Sequence, residues 1–304
     1  MHRYVLFATL LVAGSFQSVG QEPLTAGTAD LVVPVWPEAP PTWKAPTEKE
    51  RDTSTEKSGK IAGQPLMRLG FVSKPELHVF RAEKKQSTGT VVLIAPGGGY
   101  SILAWDLEGT EIAQWLQGIG VTAIVVKYRV PTRESETKWL AAVQDIQRSV
   151  SLVRSGAIEG VDAKAIGVLG FSAGGNASAR VATATKRHYQ PVDSADATSA
   201  SPDFGVLIYS AWLNQKEDPH QLDRDFIVHE KSPPMFLAAA QDDRKYVMSS
   251  VTMFRALSDH GVKASLHVFE RGGHGFGGRT AGLPTDAWRG LCETWMRDQG
   301  WVSK

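Results

Sequence analysis

From Glu76 onward, short apolar runs rich in Val, Ile, Leu and Ala alternate with longer amphipathic stretches. Residues 90–95, 121–128, 165–170, 204–209, 234–240 and 265–269 form runs of strand length. Residues 110–118, 138–155, 176–185, 249–260 and 286–299 have helix length and amphipathic character. A strand that is apolar at nearly every position is buried on both faces, so helices must cover both sides of the sheet it joins. The pattern alone predicts an α/β fold with a mostly parallel central sheet and helices on both faces. No internal repeat interrupts it.

The first 20 residues depart from this pattern. Arg3 precedes an unbroken apolar stretch at residues 5–14, and Ser18-Val19-Gly20 supply small residues at the cleavage positions. That combination reads as a secretory signal peptide, too short to span a bilayer stably. The expectation is an exported chain, periplasmic or secreted, starting near Gln21. No later stretch approaches the ~18 apolar residues of a membrane span, so no integral membrane segment is expected after cleavage. Residues 21–64 form a Pro/Thr/Lys/Glu-rich arm with Pro34, Pro37, Pro40, Pro41 and Pro46. Such composition buries little and is expected to lie over the domain surface, with Trp36 and Trp43 marking a docked portion. Residues 65–304 are the α/β domain.

Composition narrows the function. With 42% hydrophobic and 21% charged residues, the chain is neither disordered, collagenous nor a coiled coil. Lys+Arg 33 against Asp+Glu 32 leaves no basic surplus for nucleic acid. The single cysteine, Cys292, can form neither an intramolecular disulfide nor a cysteine-rich zinc site. Its place in the apolar run 288–295 makes it a small core residue. No H-E-x-x-H or other ligand spacing appears, so neither metal nor cofactor is expected.

Three loops carry the candidate chemistry. Gly170-Phe171-Ser172-Ala173-Gly174-Gly175 has the form G-x-S-x-G between a strand-like and a helix-like run. Flanking glycines let the backbone turn sharply and lift a nucleophilic hydroxyl out at the strand end. Pro96-Gly97-Gly98-Gly99-Tyr100 follows the strand at residues 90–95. Its amides, from Gly97 or Gly98, together with the Ala173 N–H, suit an oxyanion hole. It lacks the Lys-Ser/Thr of a phosphate-binding loop. Of eight histidines, only His274 sits in a glycine-rich loop past a strand end, within Gly272-Gly273-His274-Gly275, where an imidazole can act as base on the serine. The base needs an acid to fix its tautomer, and Gln241-Asp242-Asp243-Arg244 follows the strand at residues 234–240. The order Ser172, then Asp242 or Asp243, then His274 is that of the α/β-hydrolase sheet. Tyr100 and Trp105 follow the oxyanion loop and are candidate walls of a substrate pocket. Residues 212–233 are a polar excursion beyond a strand end, where ligands bind in such sheets.

These stretches, with Lys127-Tyr128-Arg129-Val130-Pro131 and with Asp145, Arg148 and Arg154, resemble α/β-hydrolase esterases of the hormone-sensitive-lipase-like type. The likeness is greatest to bacterial acetylxylan/feruloyl esterase-like hydrolases, and it covers roughly residues 65–301. In that family the first aspartate of such a pair is the triad acid, so the resemblance implies a triad of Ser172, Asp242 and His274. It departs from many relatives at Pro96, where they carry His, and at Asn176, where a His often follows the glycine pair. The implied activity is hydrolysis of carboxylic esters, with an acetylated plant or algal polysaccharide or oligosaccharide as substrate. A general short-chain carboxylesterase is the nearest alternative. An exported prolyl-oligopeptidase-like peptidase fits less well, because the long propeller of those enzymes has no room in this chain.

Overall fold

A computed structural model describes residues 27–42 and 44–303. The expected signal segment, the expected new N-terminus at Gln21 and Trp43 lie outside the described residues. In chain order the strands begin with β1 (Leu31–Pro34), β2 (Arg51–Asp52), β3 (Arg68–Gly70), β4 (Glu76–Phe80), β5 (Thr90–Ala95) and β6 (Ile102–Ala104). They continue with β7 (Thr122–Lys127), β8 (Ala165–Phe171), β9 (Phe204–Ile208), β10 (Met235–Ala240) and β11 (Ala264–Phe269). The α-helices are α1 (Glu111–Gly118), α2 (Leu140–Arg154), α3 (Ser172–Ala182), α4 (Val247–Asp259) and α5 (Trp288–Asp298).

Eight strands form one sheet in the order β1-β4-β7-β5-β8-β9-β10-β11. From β7 to β11 every pair is parallel, whereas β4 and β1 add antiparallel strands at one edge. Central strands β5, β9 and β10 are buried at every position, as a sheet covered on both faces requires. Along β5, Val91, Leu93 and Ala95 pack into the core shared with α2, α3 and α4, while Val92 and Ile94 face the core shared with α1 and α5. Each fully buried aliphatic side chain of this kind stabilises the fold by about 1.5–3 kcal/mol. Cys292 is fully buried in the second core, and burial pushes its thiol pKa up, consistent with a packing role. Among the described residues no helix is long and apolar enough to cross a membrane.

The arm is more deeply integrated than its composition suggests. Residues Leu31–Pro34 become the outermost strand of the main sheet, and Val35 and Trp36 are buried. The Trp36 indole donates to Asp145 Oδ1 at 2.7 Å, and the same buried carboxylate receives Arg129 Nε at 3.0 Å. A buried ion pair with both partners hydrogen-bonded thus anchors the arm to α2 and to the segment after β7. Further along, β2 and β3 join β6 in a small antiparallel sheet. Arg279, paired with Glu111 at 2.6 Å, also donates to the Pro65 carbonyl at 2.8 Å. These contacts carry the end of the arm, and the residues just after it, to the C-terminal edge of the parallel strands, where Ile61, Leu66 and Arg68 reach the cavity described next.

Candidate active site

Strand β8 passes into helix α3 with no intervening loop. Phe171 is still extended, but Ser172 adopts φ +49, a left-handed conformation costing about 1–3 kcal/mol outside glycine. Close packing holds it there. A Cβ on Gly170 would overlap the Gly174 carbonyl and the Ser178 hydroxyl; one on Gly174 would overlap the Ala95 carbonyl. The Ser172 carbonyl in turn accepts the Ala211 N–H at 3.0 Å. Gly174 is therefore required by the approach of α3 to the end of β5, and Gly170 by the packing of α3 back onto β8.

Ser172 Oγ lies 2.8 Å from His274 Nε2, and His274 Nδ1 lies 2.6 Å from Asp243 Oδ2. The structure gives the acid position to Asp243, correcting the choice of Asp242 implied by the family resemblance. Asp243 is buried at the start of the turn into α4, where its carbonyl accepts the Tyr246 and Val247 amides. Asp242, one residue earlier, is exposed and turns the other way. Its carboxylate accepts the Gly273 N–H at 2.8 Å and the Gly272 N–H at 3.2 Å. Those two amides hold its pKa below the usual aspartate value. The pair divides the work: Asp243 orients the imidazole, and Asp242 pins the loop that carries it. The rings of Tyr209 and Tyr246, centred 5.0 and 4.9 Å from His274, flank the imidazole.

The oxyanion loop needs a second correction. Gly97 does not present its N–H to the cavity, because that amide donates to Glu108 Oε2 at 2.6 Å. Glu108 is buried, and its other oxygen accepts the Tyr209 hydroxyl at 2.7 Å. Tyr209 in turn accepts the Gly277 N–H at 3.0 Å. Burial pushes the Glu108 carboxyl pKa up, against the hydrogen bonds from Tyr209 and Gly97. This chain ties the oxyanion loop to the histidine loop, and sequence reasoning missed both of its members. No local signal marked Glu108, which is one of three acids between Asp106 and Glu111. Gly98 is placed differently from Gly97. It lines the cavity with Ser172 and His274 at φ +126, and a Cβ there would overlap the Ile102 carbonyl. Ala173 lies in the first turn of α3, where amides have no carbonyl partner within the helix.

The cavity at Ser172 measures about 370 Å³. Neither Tyr100 nor Trp105 walls it, contrary to the sequence expectation. Tyr100 is fully buried, donates its hydroxyl to Asn176 Oδ1 at 2.9 Å and stacks beneath Trp212. Trp105 packs between the two cores with its ring edge-on to His78. The aromatic wall is instead Trp212 and Tyr246, joined by Ile102 and Leu107. Trp212 begins the polar excursion at residues 212–233, so that segment does border the site. Among the described residues no group of three or more His, Cys, Asp or Glu is placed to hold a metal ion.

Comparison with known proteins follows this geometry. A family profile described as "alpha/beta hydrolase fold" matches residues 92–249. The chain is similar to an acetylxylan esterase of Xylanibacter ruminicola, 26% identical over 214 residues, or 62% of this chain and 42% of that protein. It is also similar to endo-1,4-beta-xylanase B of Butyrivibrio fibrisolvens, 25% identical over 208 residues, 60% of this chain and 32% of that protein. The chain thus spans less than half the length of these two relatives. Among solved structures, an acetyl ester-xyloside bifunctional hydrolase from Caldicellulosiruptor lactoaceticus superposes with TM-score 0.67 at 25% identity, covering 91% of this chain and 98% of that one. A thermophilic esterase from Thermogutta terrifontis shares the fold at TM-score 0.61 and 19% identity, over 76% and 91% of the two chains. With a profile match across more than half its length, and with a serine at the strand-to-helix turn of a largely parallel sheet, the chain belongs to the α/β-hydrolase fold family.

Proposed function

We propose that this chain is an exported serine esterase that removes acetyl groups from plant or algal polysaccharide, with Ser172 as nucleophile, His274 as base and Asp243 as acid. The observation that carries the reading is the continuous array from Ser172 Oγ through His274 to Asp243, opening on a small cavity. Export is supported by the charged and apolar pattern of residues 1–20.

Ser172 Oγ attacks the ester carbonyl carbon while its proton passes to His274 Nε2, and the carbonyl electron pair moves onto oxygen. Asp243 holds Nδ1–H and stabilises the imidazolium that forms. The Gly98 and Ala173 amides receive the oxyanion; removing one such donor typically costs about 3 kcal/mol of the barrier. Glu108 fixes the loop immediately before Gly98, so that amide is set before substrate arrives. Collapse of the intermediate breaks the bond to the sugar oxygen, which takes the proton from His274. Water then repeats the attack and releases acetate from Ser172.

The choice of acyl group is supported by the cavity, where Ile102, Leu107 and Trp212 leave room for a short chain. The choice of sugar is supported by two similar proteins, an acetylxylan esterase and an acetyl ester-xyloside hydrolase. The test is acetate release from acetylated xylan by wild type and Ser172→Ala. Release that disappears in the variant supports nucleophile and substrate together. Hydrolysis of 4-nitrophenyl acetate without release from xylan replaces the polysaccharide reading with a general short-chain carboxylesterase, which the apolar rim of Ile61 and Leu66 would also suit.

A further inference from the structure

A second cleft of about 660 Å³ opens on the far side of Trp212 and Tyr246. Those two rings line both it and the Ser172 cavity, so the two spaces adjoin through a shared aromatic wall. The cleft is not the acyl site: it contains neither Ser172 nor His274. Its lining combines Trp212, which lies under the Lys138 ammonium, and Trp139, which lies under the Arg180 guanidinium, with Asn214 and Gln215. Side-chain amides and charged groups in one cleft suit a sugar, whose edge carries hydroxyls.

Charge sets this cleft apart. Lys138, Arg180, Lys216 and Lys245 line it, against Glu136, Asp223 and Asp225. Arg180 is already engaged, bonded to Asn176 Oδ1 at 3.1 Å and to Asp225 at 3.3 Å. Lys138 is different. It is half-buried, its ammonium lies 3.8 Å from the centre of the Trp212 ring, and no ion pair joins it to a carboxylate among the described residues. Burial lowers its pKa first, and Arg133, Arg180 and Lys245 lower it further. A partly desolvated cation with no carboxylate partner gains from an anion supplied by a ligand.

We propose that this cleft is a subsite for an acidic unit of the substrate chain, with Lys138, held over the Trp212 ring, receiving the carboxylate of a uronic acid. This rests on the esterase reading for the identity of the chain, but binding in the cleft needs no chemistry at Ser172. The enzyme would therefore prefer acetyl groups that lie near an acidic branch.

Calorimetric titration with two unacetylated xylo-oligosaccharides of equal length, one carrying a single uronic acid, tests the proposal. Wild type should bind the acidic one about tenfold more tightly at low salt, and raising the ionic strength should narrow that ratio. Lys138→Ala should bring the ratio close to one, and Lys138→Arg should restore most of it. Equal affinity for both oligosaccharides in wild type, or an unchanged ratio in Lys138→Ala, overturns the subsite. If the acidic preference holds but acetylated xylan releases no acetate, the subsite stands and the esterase reading fails.

Discussion

The serine and the histidine are held in place by different means. Ser172 is fixed by backbone packing, with Gly170 and Gly174 pressed against carbonyl oxygens and a helix starting directly at the nucleophile. His274 rides on a loop whose glycines have open space around them at Gly273 and Gly275. That loop is held by side chains reaching in from elsewhere, namely Asp242, Tyr209 and the Trp288 indole, which donates to the Gly277 carbonyl at 2.7 Å. A sterically fixed group fails only when something overlaps it. A loop held by a few polar contacts can be loosened in steps, and by pH. The difference predicts a ranking of single substitutions.

The largest effect should come from Gly174→Ala. Its methyl group would overlap the Ala95 carbonyl, where neither strand β5 nor helix α3 has room to move. The expected result is a loss of about 3 kcal/mol or more in denaturant unfolding, or no soluble protein. Glu108→Gln should come next. An amide cannot accept from both the Gly97 N–H and the Tyr209 hydroxyl with the same two oxygens, so a buried donor loses its partner. Steady-state kinetics should show kcat falling about 10–100-fold with KM little changed, because the loop before Gly98 is displaced but the cavity remains. A drop confined to KM would place Glu108 in substrate binding.

Gly273→Ala sharpens the contrast with Gly174→Ala. At φ +65 with nothing nearby to meet a methyl group, the cost is purely conformational, about 1–2 kcal/mol in unfolding. Asp242→Asn should be the smallest change and the one that depends on pH. The Asp242 pKa is depressed by the Gly273 and Gly272 amides. Its stabilising contribution is therefore fully present from neutral pH down to the ordinary aspartate value, and is lost as pH falls through the lower folded-state value. The melting-temperature gap between wild type and Asp242→Asn should be constant near neutrality and close in strong acid. A gap that widens on acidification contradicts this arrangement.

What was legible in the sequence follows the same division. The six strand-like runs from residue 90 onward and all five α-helices appear within a few residues of their predicted bounds, because each carries its own periodicity and turn chemistry. Ser172 and His274 were legible for the same reason, since their glycines mark the local backbone. Choices between neighbours were not. Asp242 and Asp243 are the same residue type in one turn, and only the burial of Asp243 beside His274 separates them. Gly97 and Gly98 differ through Glu108, eleven residues away from Gly97, which occupies the first amide. Tyr100 looked like a pocket wall because it follows the oxyanion loop, yet it supports Trp212 from below. The strand at Leu31–Pro34 escaped because proline-rich surroundings masked a short apolar run. Each of these outcomes depends on contacts between distant segments, which neither composition nor spacing records.

The most direct test of the account is the hydrolysis of 4-nitrophenyl acetate by Asp243→Asn and Asp242→Asn, measured side by side with wild type. If Asp243 holds the imidazole, its substitution should lower kcat about 10⁴-fold while Asp242→Asn loses only a few-fold at neutral pH. The reverse ranking, with Asp242→Asn the inactive variant, would contradict the assignment of the acid and with it the separation of roles between the two aspartates.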